Sequence, residues 1–303
     1  MVKVSVVIAS YNEERFVRNC LDNLKKIVDT NYQEIEVVVK NQGSTDNSPN
    51  IIQNEYPWVV FINGTNDGLS KGYNTAVKKT QGKYILFLGM DAIPDLDTIP
   101  NLCGYFEKKE NERVGVATCK IVTGDGSLDM DAHRGFPTPW TAFCKLFGLS
   151  TLFPTIPIFN KYFLVGNDLN KPHEIDLCIS HFMFVRKDTL DEVGGFDEDF
   201  FLYGEDVDIC YRIKQAGWKI MYLPQWKTLH WKGGSVGIRN TTRDLVKKPL
   251  EHRLKVQRLS TKAMELFLKK HYVNKYPKPL VYLMLLTSNI LGKIRVLVES
   301  FHN

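Results

Sequence analysis

A chain of 303 residues accommodates one large domain with an extension, or two domains at most, and buries an ample core. Its 44% hydrophobic and 24% charged residues exclude wholesale disorder and collagen-like structure. The net charge of +5 is uneven: Arg243 to Asn303 carries thirteen Lys/Arg against four Asp/Glu, a local +9, which leaves −4 on residues 1–242. A basic tail on a slightly acidic body fits either contact with an anionic surface (phospholipid, lipid pyrophosphate or nucleic acid) or a solvated helix face. No nucleic-acid-binding motif accompanies it, so no nucleic-acid partner is expected.

The start, Met-Val-Lys-Val-Ser-Val-Val-Ile, reads as a buried strand and lacks the features of a secretory signal. Val4 to Ala9 ends at Ser-Tyr-Asn, and a helix follows with Val17, Leu21, Leu24 and Val28 on one face. Then come a strand at Ile35 to Val39, a helix at Ser48 to Asn54, a strand at Val59 to Ile62, a helix at Leu69 to Lys79 and a strand at Tyr84 to Leu88. This alternation is the pattern of parallel βαβ units, and continuously apolar strands imply a sheet covered on both faces. Asp131 to Pro172 has no clear period and reads as a functional lid or a set of short helices. A strand is expected at Ile175 to Val185, a helix opening at Gly204-Glu205-Asp206, a strand at Trp218 to Leu223, and a basic helix from about Val246 to Lys270. No apolar run reaches the roughly 18 residues of a spanning helix. Leu280 to Leu291 (LVYLMLLTSNIL), flanked by Lys275, Lys278, Lys293 and Arg295, reads as an interfacial helix or one packed on the body. Six cysteines, at 20, 103, 119, 144, 178 and 210, have no zinc or redox spacing and fit a reducing cytoplasm.

Ligands on such sheets bind beyond the carboxyl ends of the strands. Asp91 follows directly on an apolar strand, where a carboxylate can hold a hard divalent cation or cap a helix beginning near Asp95. Glu205 and Asp206 follow the aromatic run Phe200-Phe201-Leu202-Tyr203. Acids there complement a helix dipole, or one of them serves as a general base against an apolar wall. His230 follows a strand and precedes Lys232-Gly233-Gly234-Ser235, a place for a structural imidazole or one facing a phosphate or metal. Asn41 to Ser48 (NQGSTDNS) is either a polar loop with Ser48 as N-cap or a grip for a nucleobase or phosphate. No Walker A loop and no dinucleotide-binding glycine motif is present.

In combination, VSVVIASYNEE, NQGSTDNS, NDGLSKGYNTAVKKTQGKYILFLGMDAIP, VGGFDEDFFLYGEDVDICYRIKQAGWKIMYLP and TLHWKGGS resemble a family 2 glycosyltransferase of the rhamnosyltransferase-like branch, which uses dTDP-sugars. The resemblance implies a GT-A fold: α/β, with a mostly parallel central sheet flanked by helices and a basic helical C-terminal extension. It divides the chain into a glycosyltransferase domain over 1–240, with a nucleotide-binding half at 1–123 and an acceptor and catalytic half at 124–240, and an extension over 241–303. It implies an inverting transferase with Asp206 as base and Glu205 beside it. Asp91 and His230 would serve at a Mg2+ or Mn2+ site. Ala9, Tyr11 and Glu13 match the loop around base and ribose.

Asn41 stands where the family usually has an Asp that accepts the pyrimidine N3–H. Tyr73 stands where many relatives carry Arg beside the diphosphate, and the resemblance implies that Lys71 compensates there. Met90 and His181 fall in the donor site, Ser180-His181 replacing the branch's usual Gly-Ala. Gly89-Met90-Asp91 keeps one acid of the metal motif, which leaves diphosphate and water to complete the coordination. The implied partners are a nucleoside-diphosphate sugar and a glycan or lipid-linked acceptor. The implied location is the cytoplasm, at the inner face of a membrane. The departures at Asn41 and Gly89-Met90 leave a second reading, a catalytically weakened sugar-nucleotide or glycan-binding protein.

Overall fold

The computed structural model describes residues 2–30, 34–231 and 249–301. Lys232 to Ser235 and the expected boundary at 240 and 241 lie outside the described residues. In chain order the elements are β1 (Val4–Ser10), α1 (Glu14–Asp29), β2 (Ile35–Asn41), α2 (Ser48–Glu55), β3 (Val60–Ile62), α3 (Leu69–Val77), β4 (Tyr84–Leu88), β5 (Ala92–Pro94), α4 (Thr98–Glu107) and β6 (Val114–Thr123). There follow α5 (Pro139–Leu146), α6 (Leu149–Leu152), β7 (His173–Ile175), β8 (Phe182–Arg186), α7 (Lys187–Glu192), α8 (Glu205–Gln215), β9 (Lys219–His230), α9 (Leu250–His271) and α10 (Lys278–Ser300).

The strands form one sheet in the order β3-β2-β1-β4-β8-β6-β9-β5, with β7 also on β9. The first four strands are mutually parallel, as the βαβ alternation predicts. Beyond them β8 is antiparallel to both β4 and β6, while β6 and β9 run parallel. Side chains alternate across the strands, so Val4, Val6 and Ile8 of β1 enter a core with α1, α2 and α4, while Val7 enters a second core with α3, α8, α9 and α10. The result is helices on both faces of the sheet. Order reverses at β1, with β2 on one side and β4 on the other, which opens a crevice at their carboxyl ends.

Several expectations are corrected. The strand expected over 175–185 is two strands, because 176–181 turns away between β7 and β8. Asp91 caps no helix, since β5 begins at the next residue. Ser48 is the first residue of α2 rather than its cap, and its hydroxyl donates to Asp46 Oδ1. Helix α10 continues past Leu291 to Ser300, 23 residues containing an 18-residue window with a mean hydropathy of 1.5, long and apolar enough by length and composition to cross a membrane. Lys293 and Arg295 interrupt the apolar run in the sequence but not the helix.

Candidate active site

Two strand registers assemble one cluster. The antiparallel pairing of β4 with β8 sets Leu88 opposite Phe182, and Gly89 N–H donates to His181 O at 3.0 Å. The pairing of β5 with β9 sets Ala92 opposite His230, and Trp231 N–H donates to Asp91 O at 2.9 Å. Asp91, His181 and His230 therefore converge, each offering one ligand atom, all within 4.8 Å of one another. His230 Nδ1 lies 3.1 Å from Asp129 Oδ2, which fixes its proton there and leaves Nε2 as the lone-pair nitrogen. That Nε2 is buried, makes no hydrogen bond and lies 3.6 Å from Asp91 Oδ1. Burial first, and His230 second, lower the pKa of His181, which favours the neutral imidazole a metal needs. The trio fits a divalent cation, since one ion draws such atoms to about 2.0–2.2 Å from itself.

Gly89 explains why His181 fits. A Cβ at position 89 would lie 2.6 Å from His181 Cδ2 and 2.8 Å from Asp91 Oδ1. The imidazole occupies the space a side chain at 89 would need.

Asp206 opens α8 behind Tyr203 (φ 66°) and Gly204 (φ 78°), two consecutive left-handed residues that turn the helix start inward. A Cβ on Gly204 would meet Phe200 and, at 3.1 Å, Ala263 of α9. Arg134 Nη2 donates to Asp206 Oδ2 at 3.0 Å, and Val207 N–H donates to Oδ1 at 2.9 Å. Ser180 Oγ donates to Glu205 Oε1 at 3.1 Å. Burial first, and the neighbouring Asp206 second, push the Glu205 carboxyl up to about 8.

At neutral pH the folded chain thus holds a proton on Glu205 that the unfolded chain has released above its ordinary 4.5. Stability contributed by this group falls as pH rises from about 4.5 to about 8 and levels beyond. Glu205→Gln keeps the shape without the titration and should flatten that limb of a Tm-against-pH curve. An unchanged slope would mean that Glu205 does not hold the proton.

Asp91, His181, His230, Glu205 and Asp206 all line a single cavity of about 500 Å³. Arg134 and Asp131 from the aperiodic middle segment and Asp129 just before it line it too, as do Ser260 and Met264 of α9 and Arg295 of α10. Sequence reasoning missed these. Asp129 and Arg134 sit in no periodic element, and packing of the extension on the body was one of two readings that its sequence left open.

The remaining expected residues lie elsewhere. Ala9 is at the end of β1, opposite Lys40, and Asn41 closes β2 opposite Ser10. Asn41 Nδ2 donates to Asn63 Oδ1 at 2.7 Å, and its Oδ1 accepts from Ser44 N–H at 3.1 Å. Tyr11 is exposed, and Glu13 is buried just before α1. Lys71 is exposed on α3, 3.8 Å from Asp67. Tyr73 is buried against Phe87 and Phe196 rather than facing the crevice. Met90 is buried in the core beside α1 and α4 and lines no part of the cavity.

Residues 5–194 match the family described as glycosyl transferase family 2, and residues 176–260 match glycosyltransferase like family 2. The chain belongs to glycosyltransferase family 2, and its fold is of the GT-A type. It is 27% identical over 236 residues to rhamnosyltransferase WbbL of Escherichia coli K12, covering 75% of this chain and 83% of that one. It is 28% identical over 218 residues to the N-acetylglucosaminyl-diphospho-decaprenol L-rhamnosyltransferase of Mycobacterium tuberculosis, covering 67% and 68%. Among solved structures, the mannosyltransferase PcManGT of Pyrobaculum calidifontis, in complex with GDP-Man and Mn2+, superposes with a TM-score of 0.57 at 16% identity, over 98% of this chain and 73% of that one. The protein is a glycosyltransferase that acts on nucleotide-sugar donors.

Proposed function

We propose that the chain inverts configuration as it moves a sugar from a dTDP- or UDP-sugar, dTDP-rhamnose first among them, to a hydroxyl of a glycan or lipid-linked acceptor. The observation that carries this reading is one cavity lined by both Asp91 and Asp206. Rhamnosyl transfer in the names of both relatives supports the donor sugar. The nucleotide would lie over the carboxyl ends of β1 and β2, with Ala9, Tyr11 and Glu13 around base and ribose. Asn41 would face the base through its carbonyl, and Lys71 would stand near the diphosphate.

A divalent cation at Asp91, His181 and His230 would neutralise the charge that develops on the departing diphosphate. Two imidazoles with one carboxylate favour Mn2+ over Mg2+, because nitrogen ligands suit transition metals better than magnesium. Asp206 takes the acceptor's proton as the new bond forms, and Arg134 fixes its orientation. Glu205, neutral at pH 7, adds no second negative charge beside it. The departures at Asn41 and at Gly89-Met90 were the two grounds for reading the chain as a catalytically weakened sugar-nucleotide or glycan-binding protein. His181, in the space a side chain at 89 would fill, offers a ligand atom where the second departure lacks one and so favours the enzyme reading. The reading places the protein in the cytoplasm at the inner face of a membrane, with the extension as the contact.

Thermal melts with nucleoside diphosphates and their sugars, with and without Mn2+, test this. A pyrimidine nucleoside diphosphate with Mn2+ should stabilise more than either alone. A hundredfold excess over Kd is worth about 2.7 kcal/mol, a rise of several degrees. A purine nucleotide that does equally well, or indifference to cation, would overturn the assignment.

A further inference from the structure

Three acids crowd the first turn of α8: Glu205, Asp206 and Asp208. Asp208 has no part in the mechanism proposed above. Its carboxylate is fully buried and lines no part of the acid-lined cavity. A buried carboxylate persists only where hydrogen bonds and cations replace its water. Arg212, one turn on in the same helix, donates from Nε and Nη2 to Asp208 Oδ2 at 2.8 and 2.6 Å. The same guanidinium donates to Val193 O and Gly195 O, which ties it to the turn after α7. The other oxygen, Oδ1, lies 2.6 Å from His271 Nε2. A carboxylate only accepts, so Nε2 carries the hydrogen. His271 is the last residue of α9, 63 positions along the chain, and its side chain is 14% exposed.

Other contacts bring α9 to the same place. Ala263 sits against Gly204, the left-handed residue that starts α8. Phe267 and His271 both pack on the Tyr211 ring of α8. Lys270 Nζ lies 2.5 Å from Asp197 Oδ2 and from Asp199 Oδ2, in the loop that leads to Tyr203 and Gly204. The basic tail reads from sequence as meeting an anionic surface or solvent. Lys270 and His271 instead meet acids of the body.

Asp206 and Asp208 share one helical turn, so a bond that fixes Asp208 also fixes the direction from which Asp206 reaches Arg134 and the acceptor. Small errors there matter, because a misplacement of about 1 Å can lower a rate by about 10²-fold. We propose that His271 is a positioning residue for the transfer: through Asp208 it sets the first turn of α8 so that Asp206 is aimed at the acceptor hydroxyl. The extension is thereby a working part of the catalytic half. The inference rests on the reading of Asp206 as the base and adds the residue that holds it in place.

A cycle of single and double variants tests this. Single-turnover transfer, nucleoside diphosphate Kd with Mn2+ and the number of nucleotide sites per chain are measured on each. His271→Ala should lower the transfer rate roughly tenfold or more, with Kd and site number unchanged. His271→Gln should recover most of the rate, because its amide nitrogen reaches as far as Nε2 does. In an Asp206→Asn background, His271→Ala should cost less than about twofold, since the group it aims is already gone. A purely structural role would instead show as lost sites, or as the same fold-loss in both backgrounds. Either of those results, a parental rate in His271→Ala, or no rescue by Gln would overturn the proposal. Should His271→Ala not fold, His271→Asn, whose amide nitrogen stops one bond short of the Nε2 position, makes the same comparison with Gln. Asp206→Asn alone at the parental rate would remove the base reading and this inference with it. A slow Asp206→Asn with an undiminished His271 effect would remove the positioning role alone.

Discussion

Asp206→Asn is expected to lower kcat by roughly 10² to 10⁴-fold, the usual contribution of a positioned base. Donor binding should change little, because the cluster draws its side chains from the residue before β8, the end of β9 and the turn after β4 rather than from α8. The substitution is informative because Asn keeps the size of the group and one oxygen, which can accept from either Arg134 or Val207 N–H, so one of the two hydrogen bonds survives. Asp206→Ala is the poorer test. The Arg134 side chain is 11% exposed, and stranding a nearly buried guanidinium typically costs about 3–5 kcal/mol, so lost activity would be confused with lost fold. The measurement is single-turnover transfer alongside nucleotide Kd. A variant that keeps wild-type turnover would exclude Asp206 as the base and leave the neutral Glu205 or a water to be examined. Arg134→Lys should fall between, since one ammonium lacks the planar fork that holds the carboxylate.

What the sequence made legible follows from how local each signal is. Strands β1, β2 and β4 are short apolar runs that end in polar turns, so Asp91 could be placed at a strand end from its neighbours alone. Asp206 was legible from the aromatic run before it. The contribution of His181 was not, because it depends on the antiparallel register of β8 on β4, a contact that joins residues about ninety apart. The same holds for Asp129 behind His230 and for Arg134 on Asp206, whose partners lie 101 and 72 residues away. The reach of α10 was misjudged for a different reason. A linear hydropathy run stops at Lys293, whereas a helix continues through two charged residues and keeps an apolar surface at Ile294, Leu297 and Val298. The extension, read as a basic tail that either meets an anionic surface or packs on the body, lines the acid-lined cavity through α9 and α10.

The departure at Gly89 gives the second large effect. His181→Ala should abolish cation-induced stabilisation or weaken cation affinity at least a hundredfold, because it leaves Asp91 and His230 as the remaining side-chain ligands of the three. Loss of a half-buried imidazole alone would also lower activity, so the decisive variant restores a ligand by another route. Gly89→Asp placed on His181→Ala puts a carboxylate into the space the imidazole vacates. His181→Ala removes the ring that a Cβ there would meet first, and Asp91 Oδ1, 2.8 Å from that Cβ, has to turn aside to make room. Gly89→Asp without His181→Ala should fold poorly, the new Cβ meeting His181 Cδ2 at 2.6 Å. The double variant should recover cation binding. Its preference should move from Mn2+ toward Mg2+, since an oxygen ligand now replaces a nitrogen. Mn2+ binding followed by its paramagnetic resonance signal, with Mg2+ in competition, reads affinity and preference without any turnover. If the single His181→Ala variant binds Mn2+ as the parent does, the imidazole is no ligand, and its place beside Gly89 is only packing.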